Sequence, residues 1–545
     1  MQQSVPTASV AQATFCATLF DEFISQGLRD VVICPGSRST PLALAAADRS
    51  ELTIHVRIDE RSAAFYALGV ALATKRPVAI VVTSGTAAAE LHAAVAEADQ
   101  AFVPLLVLTA DRPPELHGVG APQTINQHQL FGSMVRAFYE PGVADYAKRD
   151  SWRQLAREIY DSAFLNTGGP VQANLAFVEP LVASPLELPG PIALQTKKAD
   201  ESYVAERTEA KRVLCIVGPT EPEVNVDELL DRGWAVIGDV TTQGTIAYFD
   251  TLLRSDQFVE AARPDLILRF GGLPASKVLQ ERLRNWGVPI WGCGDRFVSD
   301  PDRLIKKHCA LPPEGSAVDP SYLALWTTAS NKVHEWLTLS INPTTPLSEP
   351  VSARRVTIAA NANNASLVVG SSMPVRDVEW WAPTRTAPTF CNRGVNGIDG
   401  VVSTVLGVGQ YGPVLGYVGD VTFLHDVSGL VDGVGDASFP TVLVVSDNRG
   451  GGIFNFLSQA TQLSTSTFEQ LFGTPHRHDL AQIARGFGHR AVDVTTVGEL
   501  DDAITQGLKE KGLTVVVAHV PTREVNVALH DQWNKEVTDL IEVLL

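Results

Sequence analysis

Between residues 10 and 183, short apolar runs alternate with segments of helical period, and that alternation confines the chain to a parallel α/β sheet. Residues 11–26 carry apolar side chains at helical spacing and stop at Gly27, a residue suited to the left-handed end of a helix. A buried strand is expected at 31–34. Pro35-Gly36-Ser37 turns it into a helix at 41–47. Strands at 54–58, 77–82 and 103–109 are expected to alternate with helices at 62–72 and 87–98. The last of these strands runs into Ala110-Asp111-Arg112-Pro113-Pro114.

The chain becomes proline-rich from Ser184 to Pro191, and a second α/β block follows, with strands expected at 212–217, 234–237, 266–270 and 289–291. Residues 312–350 carry Pro and Ser clusters around a helical stretch at 322–339, which marks a second linker. A third block opens at Ser366-Leu-Val-Val-Gly370. The expected organisation is three doubly wound parallel-sheet domains over 1–188, 189–350 and 351–545.

Hydrophobic content of 45 % with 19 % charged residues is that of a globular protein, and a net charge of −18 argues against nucleic acid or an anionic membrane as partner. The apolar stretch 401–418 is broken by Gly407, Gly409, Gly412 and Pro413 and does not read as a membrane span. The N-terminal residues lack a basic segment followed by an apolar core, and the six cysteines lack C-x-x-C spacing. A cytoplasmic enzyme with buried, unpaired thiols is the expectation.

Two triplets carry the strongest chemical signal. Gly419-Asp420-Val421 and Asp447-Asn448-Arg449 each follow an apolar run, with 25 residues between them. In a parallel sheet, ligands collect where neighbouring strands end. An Asp and an Asn there, with the carbonyl of Gly450, make an all-oxygen set of the kind that binds Mg²⁺ carrying a diphosphate. Glu60, in Arg57-Ile-Asp-Glu-Arg-Ser62, sits where a strand gives way to a helix. There a carboxylate either serves the helix dipole or acts as an acid–base group with a pKa raised by burial. Thr83-Ser84-Gly85-Thr86 is a Gly-containing strand-to-helix turn, a pattern shared by anion cradles and plain βα connections. No G-x-G-x-x-G follows the first strand and no P-loop is present. Arg38, Arg112, Lys277, Arg376 and Arg393 recur at strand ends or turns of an acidic chain, which suits a substrate bearing several carboxylates. The histidines show no metal-ligand spacing, and none is read as catalytic.

In order, Gly36-Ser-Arg-Ser-Thr-Pro-Leu42, Ile58-Asp-Glu-Arg61, Thr83-Ser-Gly-Thr86, Ala110-Asp-Arg-Pro-Pro-Glu-Leu116, Asn392-Arg-Gly394, Gly397-Ile-Asp-Gly400 and Gly450-Gly-Gly-Ile-Phe454 resemble the motifs of one family. That family is the 2-succinyl-5-enolpyruvyl-6-hydroxy-3-cyclohexene-1-carboxylate synthases, transferases that depend on thiamine diphosphate (ThDP). The two triplets resemble the Gly-Asp-Gly to Asn-Asn motif of ThDP enzymes, departing from it at Val421 and Asp447.

The resemblance implies the three-domain fold of ThDP-dependent decarboxylases, with a pyrimidine-binding domain first and a diphosphate-binding domain last. It implies that Glu60 is catalytic and that Asp420, Asn448 and the Gly450 carbonyl hold Mg²⁺, with Mn²⁺ able to substitute. Pro35, Gly36, Thr86, Gln123, Asn396, Ile398, Gly419, Val421, Gly451 and Ile453 would complete the cofactor site, with Ile398 as the wedge that bends ThDP. Ser37, Arg38, Arg112, Gln123, Lys277, Ser372, Arg376, Arg393 and Phe454 would meet substrate. Val278 stands where relatives sometimes carry a second basic residue, which weakens the case for carboxylate binding from the middle block. The implied reaction joins 2-oxoglutarate to isochorismate in menaquinone or phylloquinone biosynthesis, in a homodimer or homotetramer with active sites between subunits. Another ThDP-dependent 2-oxo acid carboligase or decarboxylase is the alternative.

Overall fold

The computed structural model of the chain describes residues 6–192, 205–219, 224–294, 298–315, 318–431 and 438–545. It divides into two compact units. The first comprises Met1–Ala199, Asp399–Tyr411 and Asp426–Ser438, and the second comprises Asp200–Ile398, Gly412–His425 and Phe439–Leu545.

The first unit contains α1 (Ala8–Gln26), β1 (Asp30–Ile33), α2 (Thr40–Ala47), β2 (Thr53–Val56), α3 (Glu60–Thr74), β3 (Val78–Val82), α4 (Thr86–Ala89), α5 (His92–Gln100), β4 (Leu105–Asp111), β5 (Phe138–Tyr139), α6 (Trp152–Ser162) and β6 (Pro170–Ala176). The strands form one parallel sheet in the order β2-β1-β3-β4-β6-β5. Alternate residues of each strand serve opposite faces. Val31, Ile33, Ala79, Val81, Leu106 and Leu108 pack with α1, α2 and α6, while Val32, Val78, Ile80, Val82, Leu105 and Val107 pack with α3 and α5. Both faces are covered, and for that reason β3 reads as an unbroken apolar run. The expected helix 87–98 is instead two pieces that part at Glu90 and Leu91.

The helix Val401–Val408 also belongs to this unit and crosses α3 backbone to backbone. A Cβ on Gly69 would stand 2.3 Å from the Thr404 carbonyl oxygen, and one on Gly407 would stand 2.2 Å from the Tyr66 carbonyl oxygen. Only glycine permits this approach.

The second unit holds two larger parallel sheets. One runs Lys307–Cys309, Ile290–Cys293, Leu266–Phe270, Val213–Val217, Ala235–Gly238 in spatial order. The other runs Thr389–Phe390, Ser366–Val369, Val414–Gly419, Pro440–Asp447, Gly512–His519, Arg490–Val494. Gly419 pairs with Ser446, so Asp420 and Asp447 lie at the same end of adjacent strands. The apolar stretch 401–418 resolves into a two-turn helix and a strand. Among the described residues, no helix is long and apolar enough to cross a membrane. All six cysteines are free and buried.

Candidate active site

Two members of the predicted oxygen set, the side chains of Asp420 and Asn448, are brought together in the second unit. The Gly450 amide donates to Asp420 Oδ2 at 2.8 Å and to Asn448 Oδ1 at 3.1 Å, so the two side-chain oxygens converge on one nitrogen. Gly450 holds φ at +154°, and a Cβ there would meet the Gly473 carbonyl oxygen at 2.3 Å. Gly451 is equally confined, its Cβ position being 2.5 Å from the Phe472 carbonyl oxygen, and its amide donates to Gly473 at 2.9 Å. Asp420 opens the helix Asp420–His425, and its Oδ1 accepts from the Val421 amide at 2.6 Å.

A cavity of about 150 Å³ stands over this turn, and its walls include Ser372, Ile398, Gly419, Asp420, Val421, Asn448, Gly450, Gly451, Ile453 and Phe454. Hard oxygen donors beside a glycine turn too tight for any side chain suit a divalent cation with a diphosphate. By that chemistry the residues present fit the Mg²⁺–ThDP pair.

Two neighbours of this set escaped the sequence reading. His476 Nε2 lies 3.0 Å from Asp420 Oδ2 and 3.8 Å from Asp447 Oδ1, and the hydrogen bond to Asp420 raises the pKa of the imidazole. Asp420, Asp447 and His476 present ligand atoms within 4.8 Å of one another. The second neighbour is Glu349, the first residue of the helix Glu349–Asn363, whose Oε1 accepts from Asn448 Nδ2 at 2.6 Å. Glu349 is 2 % exposed and lines the cavity; burial, then the nearby Asp377 carboxylate, raises its pKa. No spacing signal could have found either residue. His476 is 56 positions from Asp420, and Glu349 is 99 positions from Asn448.

None of the predicted basic residues of this unit lines the cavity. Arg393 donates through Nε to Asp239 at 3.1 Å, through Nη2 to the Leu273 carbonyl at 3.3 Å and through Nη1 to Asn396. Burial pulls its pKa down, but the charges of Asp239, Cys391 and Glu379 and the hydrogen bond to Asp239 together outweigh it, and the net shift is upward. Arg376 donates to the Ser372 carbonyl at 2.5 Å, and burial lowers its pKa. Ser372 itself holds φ at +72° and begins the helix Met373–Trp381. Lys277 is exposed at the start of the helix Lys277–Trp286. Asn396 is exposed at φ +60°.

The remaining predicted residues lie in the first unit, at the carboxyl ends of its strands. Glu60 is the first residue of α3, after Asp59, whose carboxylate caps the Ser62 amide at 2.9 Å. Burial raises the Glu60 pKa, and the charges of Asp59 and Glu90 push the same way. The turns after β1 and β3 touch, since a Cβ on Gly36 would lie 2.3 Å from Thr83 Cβ. Pro35 and Ser37 are exposed beside it. Thr86 opens α4 behind Gly85, whose amide donates to Gln127 Oε1 at 2.8 Å.

Gln123 holds φ at +55°, donates from Nε2 to the Ser84 carbonyl at 3.1 Å and accepts at its own carbonyl from Ser84 Oγ at 2.9 Å. Arg38 is buried, donating to the Phe177 carbonyl at 2.9 Å and pairing with Glu179 at 3.2 Å. Burial lowers its pKa, and the like charge of Arg112 adds to that shift.

Two family matches show that the parallel α/β architecture is that of a ThDP-dependent enzyme. Residues 14–130 match the N-terminal, and residues 383–518 the C-terminal, TPP-binding domain of thiamine pyrophosphate enzymes. The fold is similar to benzoylformate decarboxylase from Polynucleobacter necessarius (TM-score 0.66, 17 % identity, 94 % of this chain and 99 % of that one). It is also similar to a thiamine diphosphate-dependent 4-hydroxybenzoylformate decarboxylase from Rhodococcus jostii (TM-score 0.65, 15 % identity, the same coverage).

Curated relatives are far nearer in sequence. Proteins named 2-succinyl-5-enolpyruvyl-6-hydroxy-3-cyclohexene-1-carboxylate synthase share 34 % identity in Listeria innocua (96 % of this chain, 98 % of the relative). The identity is 36 % in Saccharopolyspora erythraea (97 % and 98 %) and 37 % in Chloroflexus aurantiacus (88 % and 89 %). The chain belongs to this synthase family.

Proposed function

We propose that this transferase decarboxylates 2-oxoglutarate and adds the remaining four-carbon unit to isochorismate, forming 2-succinyl-5-enolpyruvyl-6-hydroxy-3-cyclohexene-1-carboxylate for menaquinone or phylloquinone biosynthesis. The observation that carries this reading is the convergence of Asp420 and Asn448 on the Gly450 turn in a chain so like the named synthases along its whole length. ThDP, when bound, supplies the electron sink that allows loss of carbon dioxide and carbon–carbon bond formation.

The chain's own residues bind, orient and move protons. Asp420, Asn448 and the Gly450 carbonyl hold Mg²⁺ and through it the diphosphate, with Mn²⁺ able to substitute. Glu60 holds and returns a proton at the aminopyrimidine nitrogen, a task favoured by a carboxyl whose pKa burial has raised. Ile398 shapes the cofactor, while Gln123 and the turns at Pro35-Gly36 and Thr86 receive its pyrimidine end. Arg38, Arg112, Ser37, Ser372, Arg376, Arg393, Lys277 and Phe454 orient two dicarboxylates and exclude water.

Three domains over 1–188, 189–350 and 351–545 are part of this proposal. So is a cytoplasmic homodimer or homotetramer in which Glu60 of one subunit serves the metal site of another. Ile58, two positions from Glu60 and 68 % exposed, is the kind of apolar surface that such an assembly covers.

The test is carbon dioxide release from 2-oxoglutarate with ThDP and Mg²⁺, with and without isochorismate. ThDP-dependent release that rises strongly with isochorismate is expected. Turnover of pyruvate or another 2-oxo acid, with none of 2-oxoglutarate, would refute the substrate assignment and keep the cofactor.

A further inference from the structure

The proposed metal ligand Asn448 can serve a cation only through Oδ1, and nothing in the shape of its amide distinguishes oxygen from nitrogen. The partners do. On one side the Gly450 amide donates to Oδ1, and on the other Nδ2 donates to Glu349 Oε1. Rotated by half a turn, the amide would set its N–H groups against the Gly450 N–H. That arrangement repels a cation and leaves Glu349 facing an oxygen.

Glu349 is itself fixed from several directions. Its main-chain carbonyl accepts from Tyr417 Oη at 3.0 Å, and Ser348 caps the helix that it begins. Beside its carboxyl lies the buried Asp377, which accepts from His530 Nε2 at 2.7 Å, and His530 Nδ1 in turn donates to the Asn526 carbonyl at 2.8 Å. Glu349, Tyr417, Asp377 and His530 are each at most 2 % exposed, whereas Asn448 is half-buried. Glu349 is thus held in place, and its loss would remove the acceptor that Asn448 Nδ2 uses.

We infer that Glu349 is the positioning residue of the metal centre: by accepting from Asn448 Nδ2 it fixes the amide with Oδ1 turned toward the Gly450 turn, and so sets the affinity for Mg²⁺. This deepens the metal assignment proposed above and rests on it. Glu349 touches neither metal nor substrate in this role and acts through Asn448 alone.

The test is isothermal titration of ThDP into the full-length protein over a range of Mg²⁺ concentrations, with the unfolding midpoint of the cofactor-free protein measured alongside. Glu349→Leu removes the acceptor, Glu349→Asp withdraws it by one methylene, and Glu349→Gln keeps an acceptor oxygen while removing the ionisable group. The Leu and Asp variants are expected to need about 10- to 100-fold more Mg²⁺ for half-maximal ThDP binding, the range found when outer-shell partners of metal ligands are lost, and the Gln variant to stay within about threefold of wild type.

Should the Leu variant fail to fold, the Asp and Gln variants decide. Wild-type Mg²⁺ dependence in the Asp variant would overturn the inference, as would a Gln variant as impaired as the Asp variant. A wild-type protein that binds no Mg²⁺–ThDP would instead overturn the metal assignment beneath it.

Discussion

Gly450→Ala isolates the turn that joins Asp420 to Asn448. The new Cβ would stand 2.3 Å from the Gly473 carbonyl oxygen, against about 3.3 Å for the closest ordinary carbon–oxygen contact, so the turn must open by about 1 Å. Gly473 also accepts from the Gly451 amide at 2.9 Å, and that bond breaks as the turn opens. An L residue held at φ +154° adds strain of about 1–3 kcal/mol, and a lost backbone hydrogen bond about 1 kcal/mol. Together these amount to about 2–4 kcal/mol, or a competent turn populated about 30- to 1000-fold less. Titration of ThDP at fixed Mg²⁺ should report an affinity loss of that order, with a lowered unfolding midpoint in the cofactor-free protein. Gly419→Ala is the comparison, because nothing lies within 4 Å of its Cβ position and the cofactor-free midpoint should not move. The reasoning is refuted if Gly450→Ala binds ThDP as tightly as wild type, or if Gly419→Ala is the more damaging to the cofactor-free fold.

Glu60→Gln keeps the side-chain shape and removes the titrating proton; turnover should fall about 10²- to 10⁴-fold with ThDP affinity preserved, and an active variant would sink the assignment. Arg38→Lys cannot hold both the Phe177 carbonyl and Glu179, and should raise KM for a dicarboxylate substrate about 10-fold or more with ThDP affinity unchanged, measured in initial-rate assays. Burial pushes the pKa of Asp426 up to about 6, although its carboxylate accepts from the Ser403 amide at 2.7 Å. Its folded-state pKa thus lies above its unfolded value of 3.8, so its contribution is fullest below pH about 4 and is lost as the pH rises through about 6. Asp426→Asn should therefore be more stable than wild type at pH 7, by about 3 kcal/mol at most, with the gap closing toward pH 4 in urea melts. Asp420→Ala should abolish Mg²⁺-dependent ThDP binding, and an unchanged affinity would reject the metal site.

Much of this was legible in the sequence because it is local. Short apolar runs bounded by turn residues located four of the six strands of the first sheet to within a few residues, missing β5 and β6, and Gly27 ended its helix in the left-handed conformation that only glycine adopts freely. The two triplets were found because a strand end and the turn after it are contiguous in the chain. What escaped depends on distant contacts. No breaker marks the parting of α4 from α5 in an alanine-rich run. The assignment of Asp399–Tyr411 and Asp426–Ser438 to the first unit follows from packing against α3, not from any change in composition. Arg393 announced itself as a basic residue near a turn, but its three protein partners come from Asp239, Leu273 and Asn396, and only the folded chain shows how little of the guanidinium stays open.

The glycine crossing of α3 and the helix Val401–Val408 has a consequence for Glu60. Gly69 lies nine positions along α3 from Glu60, about 14 Å of rigid helix. Each carbonyl at the crossing occupies the space of the opposing residue's missing methyl, so the two helices meet with no clearance left to adjust. Clearance at that point fixes where the far end of the lever rests. Gly69 and Gly407 thus act as a gauge block, and a single added carbon there would move the Glu60 carboxyl without touching it.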